Sequence, residues 1–174
     1  MTEKKQLNIY FSFNSDFIIV TDTTSFYVDK CVLVNYSTLF KTKFDEDPSM
    51  DKINISNEFK DETINVYLTI IYNAYSRTIG SAQKRTVEGI LHEDIFKLAW
   101  YTGNKYVMDV CEERYMKENV IDEKKITGHL QLCDKYNLNN LRNQLCTDII
   151  FKGLLDKIDV KTLSDTNQKE KQKR

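Results

Sequence analysis

Residues 16–33 decide the fold, and they read DFIIVTDTTSFYVDKCVL. The apolar, β-branched run 17–20 is typical of a strand that is buried on both faces. The turn-forming cluster 22–25 follows it, and the extended character of residues 26–28 predicts that the two strands form a hairpin. From Asp29 the apolar residues recur every three or four positions, which indicates a helix directly after the hairpin.

The residues beyond this stretch carry the patterns of further helices and one short strand. Residues 45–51 form a break that contains the only proline, and Ile53-Asn54-Ile55 alternates as a minimal strand does. The clearest helical pattern spans residues 60–73, where apolar side chains fall on one face. Residues 75–89 are polar and contain two glycines, so a surface connection and a weak helix both stay open.

The C-terminal half contains an approximate internal repeat at an offset of 35 residues. Apolar and aromatic positions between residues 95 and 111 have counterparts between residues 130 and 146. Each copy predicts a helix, a short turn containing Gly or Asn, and a second helix, which is an αα-hairpin. Solenoid families have similar periods, but their signature residues are missing and two copies are too few to stack. We therefore expect two successive helical hairpins packed on one core.

The composition is typical of a soluble globular protein. The 174 residues suit one ordinary domain and an appendage. The net charge is −1 and the cations are scattered, which argues against a nucleic-acid surface. The chain has neither an apolar run of the ~18 residues that span a bilayer nor an apolar signal segment. This predicts an intracellular, cytoplasmic location, with the nucleus as an alternative, and reduced cysteines.

Nothing in the sequence predicts catalysis or a cofactor. Only two histidines are present, and the chain has no Gly-x-Ser-x-Gly, phosphate-loop or dinucleotide motif. The cluster His92-Glu93-Asp94 is explained as the start of a helix, where acidic residues meet the positive end of the helix dipole. The prediction is a protein that is not an enzyme and needs no cofactor.

A metal site is a more specific chemical alternative than catalysis. His129 and Cys133 stand four residues apart and can face one side of a helix, with Cys111 or Cys146 supplying a further thiolate. However, Cys133 and Cys146 occupy positions that the helical pattern assigns to the core, and the chain has no Cys-x-x-Cys pair. Core packing is therefore favoured and no metal is predicted. The mixed-charge run 112–114 is interpreted as a solvated helix face.

Several segments, taken in order, resemble the BTB/POZ family. Residues 16–20 resemble the family's opening Asp-Val-x-Leu-Val strand, and residues 26–33 resemble its Phe-x-Ala-His-Lys/Arg-x-Val-Leu segment. Ser37-Thr38-Leu39-Phe40, with Phe44, resembles the Ser-x-x-Phe…Phe helix that follows. The remaining matches are the short strand at 53–55, the helix end at 70–72 and the Leu-Ala…Tyr…Cys…Tyr pattern at 98–115.

The resemblance implies a fold class and a domain plan. The class is α+β with the BTB/POZ fold, in which helices surround a small sheet, followed by helical hairpins. The domain is expected at residues 14–118, after an N-terminal arm at 1–13. Residues 119–160 resemble the first helices of the BACK extension that often follows, most clearly in the stretch LCDKYNL. Residues 161–174 are expected to be a disordered tail, since the last eleven are all polar.

Two departures from the family pattern concern self-association. Asp29 stands where the family usually has a His at the start of the first core helix. Only about fifteen residues precede the first strand, which leaves little room for the family's N-terminal dimerisation helix. Residues 7–13 can instead supply a swapped strand or a short helix. The resemblance therefore implies a homodimer that is weaker than usual.

The resemblance also implies a partner. Members of the family commonly dock on cullin-3 and hold a captured substrate protein near a ubiquitin-conjugating enzyme. Cullin-3 binders often carry a hydrophobic-x-Glu motif in the loop after the third core helix. Phe44-Asp45-Glu46 has this pattern about four residues early, and Met50-Asp51-Lys52 stands at the expected place. The candidate interface is Phe44 and Met50 as apolar anchors with Glu46 as polar partner, flanked by Asn104, Lys105 and Tyr106.

Alternatives remain for both the site and the function. Phe44 can simply pack inward. The chain can also be a self-associating scaffold or a decoy without ligase recruitment, because no recognisable substrate-binding domain follows the BACK-like segment. A Skp-like monomeric adaptor is a further alternative, since Phe26-Tyr27-Val28-Asp29 resembles the Phe-x-Val-Asp of those proteins.

Overall fold

A computed structural model describes residues 7–12, 14–55, 58–79, 93–118 and 126–158. The strands are β1 (Leu7–Tyr10), β2 (Phe17–Val20), β3 (Thr24–Val28) and β4 (Lys52–Asn54). The helices are α1 (Lys30–Tyr36), α2 (Thr38–Glu46), α3 (Asp61–Thr78), α4 (Glu93–Tyr101), α5 (Lys105–Glu118), α6 (Ile126–Tyr136) and α7 (Asn139–Lys152), with a 3₁₀ turn at Leu155–Lys157. None of the helices within these ranges is long and apolar enough to cross a bilayer.

The strands form one mixed sheet in the order β1-β3-β2-β4. Strands β2 and β3 are antiparallel, with Ile19 opposite Phe26, which confirms the predicted hairpin. Strand β4 pairs parallel to β2 at one edge, and β1 pairs parallel to β3 at the other, with Leu7 opposite Thr24. Residues 7–10 of the predicted N-terminal arm thus form a strand in the chain's own sheet.

The core of the sheet-bearing part lies between the hairpin and helix α3. Phe17 and Phe26 are buried, as are Tyr67, Leu68 and Ile71 of α3. The helix runs to Thr78, five residues beyond the predicted pattern, so the first part of the ambiguous stretch 75–89 is helical. Residues 80–89 lie outside the described ranges. A small sheet with surrounding helices is the predicted α+β class, which is confirmed.

Two compact units make up the chain, residues 1–109 and 110–174. In the second unit, helices α6 and α7 join through Asn137, which adopts a left-handed φ of 54°. Their core contains Ile126, Cys133, Leu141 and Leu145. Both helices of the second predicted hairpin lie in this unit, together with residues 110–118 of α5 from the first hairpin. The predicted tail, 161–174, lies outside the described part of the chain.

Candidate interaction site

The candidate site begins with helix α2, whose start is fixed by Ser37. The Ser37 Oγ accepts a hydrogen bond from the Phe40 N–H (3.2 Å) and donates one to the Thr102 carbonyl oxygen (2.6 Å). The Leu39 N–H donates to the same carbonyl at 3.2 Å. The first turn of α2 is thereby held against the turn between α4 and α5.

Phe44 packs inward from α2. Its side chain is 8% exposed, and its ring lies edge-on to Phe17 with the centroids 4.8 Å apart. The Phe40 ring stacks on the Phe44 ring with the centroids 6.0 Å apart, and the Lys30 ammonium lies 5.3 Å from the Phe44 centroid. This is the inward packing that the sequence left open as the alternative to an anchor role.

The α2–β4 loop, residues 47–51, is held by hydrogen bonds at each of its three middle residues. Asp47 Oδ1 accepts from the Ser49 N–H (3.0 Å) and from the Ser49 hydroxyl (2.6 Å). The hydroxyl bond, more than any other contact, holds the pKa of Asp47 below its usual value. The Met50 N–H donates to the Asp47 carbonyl at 3.2 Å, and the Lys30 ammonium donates to the Pro48 carbonyl at 3.0 Å. The loop is therefore preorganised.

Residues 45–51 combine acidic side chains with two apolar ones, the exposed Pro48 and the half-buried Met50. The exposed acids are Asp45, Glu46, Asp47 and Asp51. The segment therefore has the mixed polar and apolar character of a protein-binding rim.

Asn104 lies in the interior, where it holds a hydrogen-bond network. Its side chain is 0% exposed, its Nδ2 donates to the Tyr67 hydroxyl (3.0 Å), and its Oδ1 accepts from the Val107 N–H (3.0 Å) at the start of α5. The Tyr67 hydroxyl donates to Thr102 Oγ1 at 3.0 Å. Burial raises the pKa of Tyr67, so the phenol stays protonated. Asn104 positions the turn and offers no atoms to a partner.

Lys105 and Tyr106 follow Asn104 and are exposed. The Lys105 ammonium binds both carboxylate oxygens of Asp109 at 2.7 Å, and the Tyr106 ring lies 5.5 Å from that of Tyr36. The turn that carries them contacts the first turn of α2, whereas Glu46 is the last residue of that helix. Eight residues of helix separate the two ends by about 12 Å. The candidate residues thus form two surface patches, one at each end of α2.

Gly103 lies in the α4–α5 turn, and both its backbone conformation and its close neighbour require a glycine. Its φ is +62°, and a methyl group in place of its hydrogen would overlap the Thr38 hydroxyl. The turn can therefore approach α2 closely only with glycine at this position. The sequence indicated a glycine-containing turn, but the contact with Thr38 depends on tertiary packing.

Asp29, the departure from the family's His, ties helix α1 to helix α3. The Asp29 N–H donates to the Tyr72 hydroxyl at 2.7 Å, and that hydroxyl donates to Asp29 Oδ2 at 3.2 Å. Burial, with the nearby carboxylate, raises the pKa of Tyr72 well above its usual value. The Lys30 N–H donates to Asp16 Oδ1 at 2.7 Å, which completes the start of α1. The substitution thus has a structural partner within the chain.

Sequence reasoning missed a polar connection between the hairpin turn and helix α3. The Asp61 carboxylate accepts from the Thr23 hydroxyl at 2.5 Å and from the Thr24 hydroxyl. Burial alone would raise the pKa of Asp61, but the hydroxyls of Thr21, Thr23 and Thr24 outweigh it and hold this pKa below its usual value. The available signals were the run of hydroxyl residues at 21–25 and the acidic start of α3, which lie far apart in the chain.

The interpretation of residues 112–114 as a solvated face is wrong for Glu112. This side chain is 4% exposed. Its Oε1 accepts from the Leu141 N–H at 2.6 Å, and its Oε2 accepts from the Asn140 Nδ2 at 2.9 Å. The N-cap residue of α7 is Leu138, whose apolar side chain cannot accept a hydrogen bond, so Glu112 supplies the cap from α5.

Of the residues considered for metal binding, His129, Cys111 and Cys133 are buried in the second unit, whereas Cys146 is exposed, so its predicted core position is wrong. His129 is buried, with its ring 5.4 Å from that of Tyr115. Burial raises the pKa of Cys111 and of Cys133 to about 12, so both thiols stay protonated near neutral pH. Among the residues that the structure describes, no group of three or more His, Cys, Asp or Glu side chains is arranged to hold a metal.

Comparison with known proteins identifies one family. A family model for the BTB/POZ domain matches residues 7–115. Among solved structures, the BTB domain of zebrafish PATZ1 is 16% identical, with 60% of this chain and 77% of that chain covered and a TM-score of 0.44. The BTB domain of human Gigaxonin is 23% identical, with 57% and 76% covered and a TM-score of 0.42. No curated protein sequence matches the chain.

Proposed function

This chain belongs to the BTB/POZ family, whose domain is a protein–protein interaction module, and from that premise we propose that it is a substrate adaptor of a cullin-3 type ubiquitin ligase. The observation that carries the proposal is the preorganised α2–β4 loop, which contains the half-buried Met50 and follows the exposed Glu46 at the end of α2. A loop that is ordered before binding loses less conformational entropy when a partner docks on it.

We assign the contacts in two patches. Met50 is the apolar anchor and Glu46 its polar neighbour, while Phe44 supports them from within the core. Tyr106 and Lys105 form the second patch, about 12 Å away along α2. A standard interface covers about 800 Å² on each partner, which is a patch about 30 Å across, so one cullin surface reaches both.

We extend the proposal to the assembly of the adaptor. Helices α6 and α7 are assigned as the start of a BACK-like extension within residues 119–160, and the substrate protein is captured by a part of the chain outside the cullin patches. We also propose a homodimer through the edge strand β1, because Leu7 and Tyr10 there are more than half exposed. The same exposed edge favours the second candidate function, a self-associating scaffold or decoy without ligase recruitment.

The test is direct binding to the cullin-3 N-terminal domain. Calorimetry should give a dissociation constant of tens of micromolar or tighter. Met50→Ala and Glu46→Lys should each weaken binding about tenfold or more. Glu58→Lys reverses an exposed charge outside both patches and is the matched control. No binding by the wild type at tens of micromolar protein rejects the adaptor. Self-association of that non-binding protein would then support the scaffold.

A further inference from the structure

Ser49 lies at the centre of the α2–β4 loop, and its hydroxyl is both exposed and engaged. The side chain is exposed to solvent. Its Oγ donates to Asp47 Oδ1 at 2.6 Å, and the Ser49 N–H donates to the same oxygen at 3.0 Å. The loop conformation therefore depends on a hydrogen-bond donor at a position that a modifying enzyme can reach.

Residues 45–51, around Ser49, contain four acids and no cation, and Lys43 and Lys52 lie on either side of this stretch. Asp45, Glu46 and Asp47 precede it, Asp51 follows it, and all four are exposed. Protein kinases choose substrates partly by charge pattern, and a basic substrate groove complements this stretch. We infer that Ser49 is a phosphorylation site for a serine kinase that selects acidic sequences, and that the phosphate opens the α2–β4 loop.

The transfer uses ATP as the second substrate. The Ser49 Oγ attacks the γ-phosphorus of kinase-bound ATP, a new O–P bond forms, and the bond from that phosphorus to the bridging oxygen of ADP breaks. The hydroxyl proton passes to the catalytic base of the kinase. The products are ADP and a phosphoserine that carries about two negative charges at neutral pH.

Three hydrogen bonds hold the loop through side chains, and phosphorylation removes the one that the Ser49 hydroxyl donates. A phosphate dianion cannot donate to Asp47, and the two anions repel each other. The phosphate also attracts the Lys30 ammonium, which otherwise donates to the Pro48 carbonyl at 3.0 Å. Only the Ser49 and Met50 N–H bonds to Asp47 then remain, so residues 47–50 open and Met50 moves with them. The effect on partner binding rests on the proposed function, whereas the opening of the loop does not.

The first test is modification of the full chain. Incubation with ATP and an acidophilic serine kinase of the casein kinase class should add one phosphate, which peptide mapping should place on Ser49. Ser49→Ala should prevent this addition. Wild-type protein that carries no phosphate on Ser49 after the reaction overturns the inference.

The second test separates loop opening from partner binding through a matched pair of variants. Ser49→Asn keeps a hydrogen-bond donor for Asp47. Ser49→Asp introduces a side chain of about the same size and shape as Asn that carries a negative charge and has no donor. In NMR titrations, Ser49→Asn should keep the pKa of Asp47 low, and Ser49→Asp should raise it and shift the amide signals of residues 47–50. Equal spectra and titrations for the two variants overturn loop opening.

The third test measures the consequence for the cullin. The cullin-3 N-terminal domain should bind the phosphorylated chain and Ser49→Asp about tenfold more weakly than Ser49→Asn. Equal affinities overturn the regulatory role. If the unmodified chain does not bind at all, the proposed function fails, and the labelling and NMR results still decide whether Ser49 is a phosphorylation site that opens the loop.

Discussion

Single residues in this chain differ sharply in how well they tolerate substitution, as Gly103 and Gly128 illustrate. Gly103 has a left-handed φ and lies against Thr38, whereas a methyl group on Gly128, inside α6, would have no atom within 4 Å. The sequence offers no means of ranking them, because the difference is set by a helix that lies far away in the chain.

Replacing Gly103 with Ala should lower the free energy of unfolding by about 2–4 kcal/mol. Left-handed strain contributes about 1 kcal/mol of this, and displacement of Thr38 contributes the rest. Gly128→Ala should instead stabilise by up to about 1 kcal/mol, since Ala is the better helix former. Urea unfolding of both variants makes the measurement. A Gly103→Ala protein as stable as the wild type would contradict the close contact with Thr38.

Glu112 and Glu113 are adjacent acids with opposite environments. Glu112→Ala should destabilise the second unit by about 2–4 kcal/mol, because it leaves the Leu141 N–H buried without its acceptor. Glu113→Ala removes only a surface pair with Lys117, which water screens, so its effect on stability should be much smaller. Hydrogen exchange at the first turn of α7 should quicken in the first variant alone. Equal exchange in both variants would show that Glu112 does not cap α7.

At the scale of elements, sequence patterns predicted the strands and helices that interactions between near neighbours in the chain determine. The β2–β3 hairpin and the centre of α3 follow from alternation and helical period, and both are present. Strand β1 could be predicted only as a strand or a short helix, because its identity depends on parallel pairing with β3 seventeen positions away. The interior position of Asn104 likewise depends on Tyr67, 37 residues earlier.

The connection between the hairpin turn and α3 should be sensitive to acid. The pKa of Asp61 is lowered in the folded state, so its stabilising contribution is present above the unfolded-state pKa of about 4. It is lost as the pH falls through the folded-state pKa. The difference in melting temperature between wild type and Asp61→Asn should therefore shrink on acidification. Glu62→Gln, next in the chain, controls for the loss of one charge. A constant difference would exclude the threonine contacts.

At the scale of the whole molecule, the fold follows from many ordered matches while the interface depends on few residues. The resemblance rests on matches along some hundred residues and does not depend on any single one of them, so the family and the fold class were predictable. The candidate interface rested on six side chains, and packing places Phe44 and Asn104 inside. Burial of a single side chain is set by its neighbours in space, which the sequence alone does not give.

The edge strand β1 gives a test of self-association. Leu7→Glu should weaken the proposed dimer about tenfold or more without unfolding the chain, because Leu7 is 59% exposed. Leu155→Glu changes a similarly exposed leucine of the second unit and should leave the dimer intact. Sedimentation velocity over a range of concentrations measures both. A wild type that sediments as a monomer at every concentration would favour a Skp-like adaptor.

The distribution of exposed and buried cysteines allows each of the two units to be labelled with a dye. Cys111 and Cys133 are buried, with pKa values raised to about 12, whereas Cys31 and Cys146 are exposed. A maleimide dye at neutral pH should therefore attach to two cysteines in the native protein and to all four after denaturation. The two reactive thiols fall one in each compact unit. Donor and acceptor dyes can thus report the distance between the units, and its change when a partner docks, without any substitution in the chain.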